Sequence, residues 1–235
     1  EVKEQIDLMY SLIHQQVDAI VLVPIDSKAL VQPAVEAVRK GIPVINIDIQ
    51  LDTQLLEQAG VEVAFVGPDN FAAAYKVGKL LGKKLRNEDK VAIIEGLAAT
   101  DNAQQRKRGF IKAIEEKGLR LVASEPADWE TEKAAEVFQA MWMRYPDLKA
   151  VYCSNDAMAL GVLQQMQEKK CYLPVVGFDN DAVMKEFLST GKLVATADIF
   201  SSQMAVRGIE FALDVLEGRI ENRGVHSTAY EIIKQ

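Results

Sequence analysis

Histidine is almost missing from this chain of 235 residues: His14 falls on a predicted helix, His226 in a predicted late loop, and the two stand far apart in sequence. Neither lies beside a polar strand end, which removes the metal sets and triads that imidazole usually anchors. No Gly-x-Gly-x-x-Gly follows a predicted strand and no glycine-rich loop ends in Lys-Ser or Lys-Thr, so nucleotide binding has no motif behind it. The run Asp179-Asn180-Asp181 lacks the spacing and closing glutamate of a calcium loop. No metal and no cofactor are expected. The net charge of −7 and the lack of a Lys/Arg stripe interleaved with aromatics argue against a nucleic-acid partner. No apolar run approaches the roughly 20 residues that cross a bilayer. No leader pattern is visible either, and a mature exported chain would have lost one. The two cysteines, Cys153 near a strand's end and Cys171 near the start of the next, belong at opposite ends of a parallel sheet, so two free thiols are expected and the compartment stays open.

What the chain does have is one arrangement used four times, a buried apolar strand that stops at short polar side chains. Ala150-Val151-Tyr152-Cys153 runs into Ser154-Asn155-Asp156 and a helix, and Val44-Ile45-Asn46-Ile47 ends at Asp48. Val175-Val176-Gly177-Phe178 ends at Asp179-Asn180, and Val194-Ala195-Thr196-Ala197 at Asp198. At the carboxyl end of a parallel strand such side chains can grip hydroxyls while capping a helix. Four of them predict a polar small-molecule site.

The strands are apolar on both faces, as in Ala19-Ile20-Val21-Leu22-Val23, which fits a sheet covered by helices on both sides. Residues 1–16 carry Val2, Ile6, Met9, Leu12 and Ile13 at helical spacing, and Pro33 and Gly41 bracket a second helix. Strands are predicted at 18–23, 43–48, 61–66, 90–95, 119–124, 150–153, 174–178 and 193–197, and helices at 71–85, 104–117 and 133–144. This alternation predicts an α/β fold of right-handed βαβ units. No linker separates two halves and no short repeat shows.

With Gly41-Ile42-Pro43-Val44, Asn155-Asp156-x-Met158-Ala159-Leu160-Gly161 and Gly177-Phe178-Asp179 together, the chain resembles the periplasmic sugar-binding proteins of the ribose/galactose type, the receptors of sugar ABC transporters. The resemblance covers essentially the whole chain. It implies the type I periplasmic-binding-protein fold, two Rossmann-like lobes with parallel sheets joined by three crossings and closing on a sugar without catalysis. One lobe would comprise residues 1–68 and 200–228, the other 69–199 and 229–235. The implied partners are a neutral sugar or polyol and a membrane permease, and the implied location is periplasmic or extracellular.

The same resemblance assigns the site. Asp48 looks like the family's acceptor of two sugar hydroxyl protons, and Arg106 like its clamp arginine, with Arg108 as the rival. A planar guanidinium can donate to a ring oxygen and a hydroxyl together, which lysine cannot do. Placed at a partly exposed rim, Arg106 is expected to tolerate lysine with little loss of stability. Trp129 matches the aromatic that stacks on the C–H face of the sugar, with Trp142 remote from the rims. Asn155 offers donor and acceptor, and Asp179 accepts. Asp198 stands near where the family often has glutamine, and Ile49 where ribose-type receptors place an arginine. Losing a cation and gaining a carboxylate favours a neutral, hydroxyl-rich ligand and argues against ribose itself, leaving a different pentose, a hexose, an inositol or an open-chain polyol.

Two other functional classes share this fold. The effector core of a lac-repressor-type regulator would carry a DNA-binding segment, and a sugar-modifying enzyme would need a base or nucleophile that these rims do not supply. A third departure concerns the start. Family members begin with a strand, a helix and a second strand, which are not seen here, so a shortened product or a portion of a longer chain is expected. Residues 19–23 are then expected at a sheet edge open to self-association.

Overall fold

The computed structural model describes residues 1–234. They form two compact units: residues 1–68, 99–102 and 200–229 make the first, and residues 69–98, 103–199 and the tail from Tyr230 make the second.

The first unit is a parallel sheet in the order β1 (Ile20–Leu22), β2 (Val44–Ile47), β3 (Ala64–Pro68), β9 (Val225–Thr228). One face packs on α1 (Val2–His14), α2 (Val31–Arg39) and α3 (Thr53–Ala59) through Met9, Ile13, Ile20, Leu22, Leu30 and Val44. The other face packs on α9 (Ser201–Leu216) through Ile45, Ile47, Val66 and Phe211. Sequence expectation and structure differ at the third strand, which begins at Ala64 rather than Val61. Asp52 caps α3 by accepting from the Leu55 N–H at 3.0 Å, and Gly60 ends it at φ +64°. The Val61 N–H then bonds back to the Leu56 carbonyl at 3.1 Å, so Val61 closes the helix instead of opening a strand. His226 lies in β9 rather than in a loop, its ring 4.6 Å from that of Phe211.

Strand β1 is an edge, as expected for residues 19–23. The carboxamide of Gln5 on α1 donates to the Val23 carbonyl at 2.7 Å and accepts from the Ile25 N–H at 2.8 Å. A neighbouring parallel strand would make the same pair of bonds there, donating to residue i−1 and accepting from residue i+1. Beside this edge α9 carries a stripe of half-exposed Val206, Ile209, Leu213 and Leu216. Phe211 leans toward β9 and Gly208 sits over Val21 and Ile47, which turns the stripe to the β1 side.

The second unit is a six-stranded sheet in the order β10 (Glu231–Lys234), β8 (Leu193–Asp198), β7 (Val175–Val176), β6 (Ala150–Cys153), β4 (Lys90–Glu95), β5 (Arg120–Pro126). All neighbours are parallel except β10, which pairs antiparallel with β8 and was not foreseen. Its helices are α4 (Asn70–Gly82), α5 (Asp101–Lys117), α6 (Thr131–Arg144), α7 (Asp156–Glu168) and α8 (Met184–Ser189), the first residues of α5 clustering with the first unit. Phe138, Met141, Val151, Met158, Val162 and Val175 fill the core under α6 and α7. Strand β7 is shorter than the predicted 174–178 because its ladder to β8 shifts register between Val175 and Val176. Both cysteines are free, and burial pushes the Cys153 thiol up, away from the reactive thiolate. No helix among the described residues is long and apolar enough to cross a membrane.

Candidate functional site

Five of the six predicted ligand residues fall in the second unit, at or just after the carboxyl ends of its parallel strands or, for Arg106, on α5. The sixth, Asp48, follows β2 in the first unit at φ +64°. Asp128 (φ +52°), Trp129 (φ +71°), Asp179 (φ +105°) and Asn180 (φ +59°) share that left-handed backbone. None is glycine, so each costs roughly 1 kcal/mol or more, and such residues concentrate at binding sites where surrounding contacts hold them.

Arg106 is the centre. Only 2 % of it is exposed, so the partly exposed rim expected for it is incorrect. Its Nε donates to Asn70 Oδ1 at 2.9 Å, and its Nη1 donates to the Ser154 carbonyl at 2.8 Å and lies 3.4 Å from Asp179 Oδ1. The guanidinium carbon sits 3.7 Å from the Phe178 ring centroid and 5.5 Å from that of Trp129. A buried guanidinium survives here because a carboxylate, a carbonyl, an amide and an aromatic face replace water. Its Nη2 has no hydrogen bond among the described residues. Arg108, the rival, is exposed on α5.

Trp129 needs its neighbours to be small. A Cβ on Gly96 would fall 2.0 Å from the indole ring, so the absence of a side chain there leaves the ring its place. Asp128 pairs with Lys133 on α6 and so fastens the same turn. Trp142 lies in the last turn of α6, in a groove with Gln139, Met143, Gln165 and Lys169.

Asn155 caps α7, its Oδ1 accepting from the Met158 N–H at 2.9 Å, while its Nδ2 has no partner among the described residues. Asp198 Oδ2 accepts from Asn180 Nδ2 at 2.9 Å. Beneath this pair lies the fully buried Asp156, which the sequence reading quoted but did not assign. Its carboxylate accepts from Thr196 Oγ1 at 2.9 and 3.0 Å and from the Asp181 N–H at 2.9 Å. Burial pushes this carboxyl up to about 7, opposed by those two donors and aided by the nearby Asp179 and Asp181. A second, half-buried cluster joins Glu95 to Lys107 at 2.8 Å and to the Ser124 hydroxyl. Sequence reasoning missed Asn70, although Gly67-Pro68-Asp69-Asn70 repeats the strand-then-polar pattern after β3. It quoted Phe178 only as part of a motif.

The arrangement is a shelf of hydrogen-bonding groups of both signs beside an aromatic face. A family model described as a periplasmic binding protein domain matches residues 1–220. The chain belongs to the periplasmic binding protein family. It is 41 % identical, over 99 % of its length, to the D-ribose/D-allose-binding protein of Pseudomonas aeruginosa, of which it spans 75 %. Against the D-allose-binding periplasmic protein of Escherichia coli the identity is 34 %, over 90 % of this chain and 70 % of that protein. The ribose import binding protein of Escherichia coli is also 34 % identical, over 83 % of this chain and 64 % of its own length. Among solved structures, a solute-binding protein of an ABC transporter from Actinobacillus succinogenes with bound D-allose superposes with a TM-score of 0.92 at 31 % identity, over 99 % of this chain and 84 % of that one.

Proposed function

We propose that this protein binds a neutral aldose, with D-allose and D-ribose as the first candidates, and serves as the solute-binding component of an ABC import system. The observation that carries this reading is the clamped guanidinium of Arg106, which keeps Nη2 for a ligand oxygen beside Asp179, and Asn180, Asp198 and Asn155 are proposed to add donors and acceptors from the neighbouring strand ends. Sugar hydroxyls donate and accept at once, and such a mixed set suits them. Trp129 supplies the face against which the C–H side of the ring stacks. Asp48 is proposed as a further hydroxyl acceptor carried by the first unit. The relatives named above include a ribose import binding protein and a solute-binding protein of an ABC transporter, which favours this reading over a regulator core. Binding without turnover, a permease as partner and a location outside the cytoplasmic membrane belong to the same proposal, as does self-association through the β1 edge.

Tryptophan fluorescence titration with D-allose and D-ribose tests it. Wild type and Trp142→Phe are expected to show a saturable change, and Trp129→Phe to lose most of it. A response that survives in Trp129→Phe and vanishes in Trp142→Phe moves the sugar away from this site.

A further inference from the structure

We propose that Asp156 and Thr196 are positioning residues, which hold Asp179 and Asn180 in the left-handed backbone from which these two face Arg106 and Asp198. Neither needs to touch a ligand to do so. The Thr196 hydroxyl accepts from the Asn180 N–H at 3.2 Å and donates to the Asp156 carboxylate, which in turn accepts from the Asp181 N–H. Two consecutive amides of the strained segment are thereby tied to one buried acid on α7 and one hydroxyl on β8. The Asp179 N–H adds a bond to the Ala197 carbonyl at 2.7 Å, and the Asp156 N–H one to the Phe178 carbonyl at 2.7 Å. The turn is fastened on both sides of its two positive φ angles, as strained backbone requires.

Gly177 makes room for this latch. A Cβ there would lie 1.9 Å from Asp156 Oδ1, so the carboxylate occupies the space a side chain would fill. Position at the first turn of α7 also suits a negative charge, since four N–H groups of the helix start have no partner within it. The charged and titratable groups around the latch are Asp179 and Asp181 on the β7–α8 connection, Asp198 on β8, Arg106 on α5 and Cys153 on β6. Protonating Asp156 removes an acceptor that two donors share. Affinity is therefore expected to fall as pH drops below 7, before the exposed carboxylates titrate.

Shape and hydrogen bonding can be separated at Thr196. Thr196→Val keeps the volume and loses the hydroxyl, whereas Thr196→Ser loses a methyl and keeps the hydroxyl. Two readouts apply to each variant and to Asp156→Asn: calorimetric affinity for D-allose and D-ribose between pH 5.5 and 8, and amide hydrogen exchange at Asn180 and Asp181 without sugar. Thr196→Val and Asp156→Asn are expected to lose tenfold or more in affinity and to raise exchange at those two amides at least tenfold. Thr196→Ser should stay within about threefold of wild type in both, and Asp156→Asn should lose the pH dependence. A valine variant that behaves as wild type, or a serine variant as poor as valine, overturns the proposal. The affinity arm rests on the sugar reading. If wild type binds neither sugar that reading fails, and exchange at the two amides decides the latch by itself.

Discussion

The two units share the strand-then-polar pattern and use it differently. In the second, the polar residues after β6, β7 and β8 turn toward one another and toward Arg106, giving a cluster that is internally bonded and still carries spare donors. In the first, the comparable amide is consumed by the scaffold. Asn46 on β2 is 1 % exposed, and its Nδ2 donates to the Leu22 carbonyl at 3.2 Å and the Ile49 carbonyl at 2.8 Å while its Oδ1 accepts from the Leu51 N–H at 2.8 Å. It holds the bend that follows β2, where Asp48 stands at φ +64°. The first unit also carries an open apolar edge, for which Gln5 makes up two bonds. One pattern thus yields a recognition cluster where several strands converge on a buried cation, and a structural clamp where they do not.

The sharpest way to break this contrast is at the cation. Arg106→Lys is expected to weaken sugar binding more than tenfold and to lower stability by about 2 kcal/mol, because lysine cannot serve Asn70, Ser154 and Asp179 together. Calorimetry and urea unfolding check the two halves. An unchanged unfolding free energy would show that these bonds contribute little to folding.

The next effect is in pH. The Asp156 carboxyl titrates at about 7 when folded and near 3.8 as a free side chain. Its contribution therefore favours the folded protein most below pH 4 and is lost as pH rises toward 7. Stability from this group and sugar affinity should move in opposite directions over that interval. Urea midpoints of wild type and Asp156→Asn, compared from pH 4.5 to 7.5, should converge toward low pH if Asp156 is the source.

Smaller still is Gly177→Ala, expected to cost about 2 kcal/mol or less by pressing a methyl on Asp156 Oδ1. Gly41→Ala, where the added Cβ meets nothing but φ is +83°, should cost about 1 kcal/mol through backbone strain alone. Thermal unfolding of the two separates crowding from strain.

The smallest effects on stability belong to the first unit's edge. Gln5→Ala should cost less than about 1 kcal/mol, since both bonds are solvent-exposed, yet it should raise self-association by freeing the Val23 carbonyl and Ile25 N–H. Leu213→Glu on the α9 stripe should reduce that association with little change in unfolding. Sedimentation over a hundredfold concentration range checks both, and a monomer throughout for wild type and Gln5→Ala would remove the edge as an interface.

Sequence alone determined the alternation of strand and helix, because apolar runs bounded by Gly, Pro and short polar residues admit little else. Strands β4 and β6 appear at the predicted residues, and the polar strand ends were visible as such. The family resemblance led to the family that the comparison shows. The depth of Arg106 was not legible, since helical spacing places it on α5 but cannot tell which side chains of distant strands will close over it. Nor could the sequence separate Asn46, whose amide turns inward, from Asn155, whose amide caps a helix and keeps a free end. The roles of Asp156 and Thr196 depend on residues 40 positions apart meeting at 2.9 Å. Local propensity fixes elements because its causes lie within a few residues. The charge state, burial and bonding of a site are set by neighbours that only the folded sheet brings together.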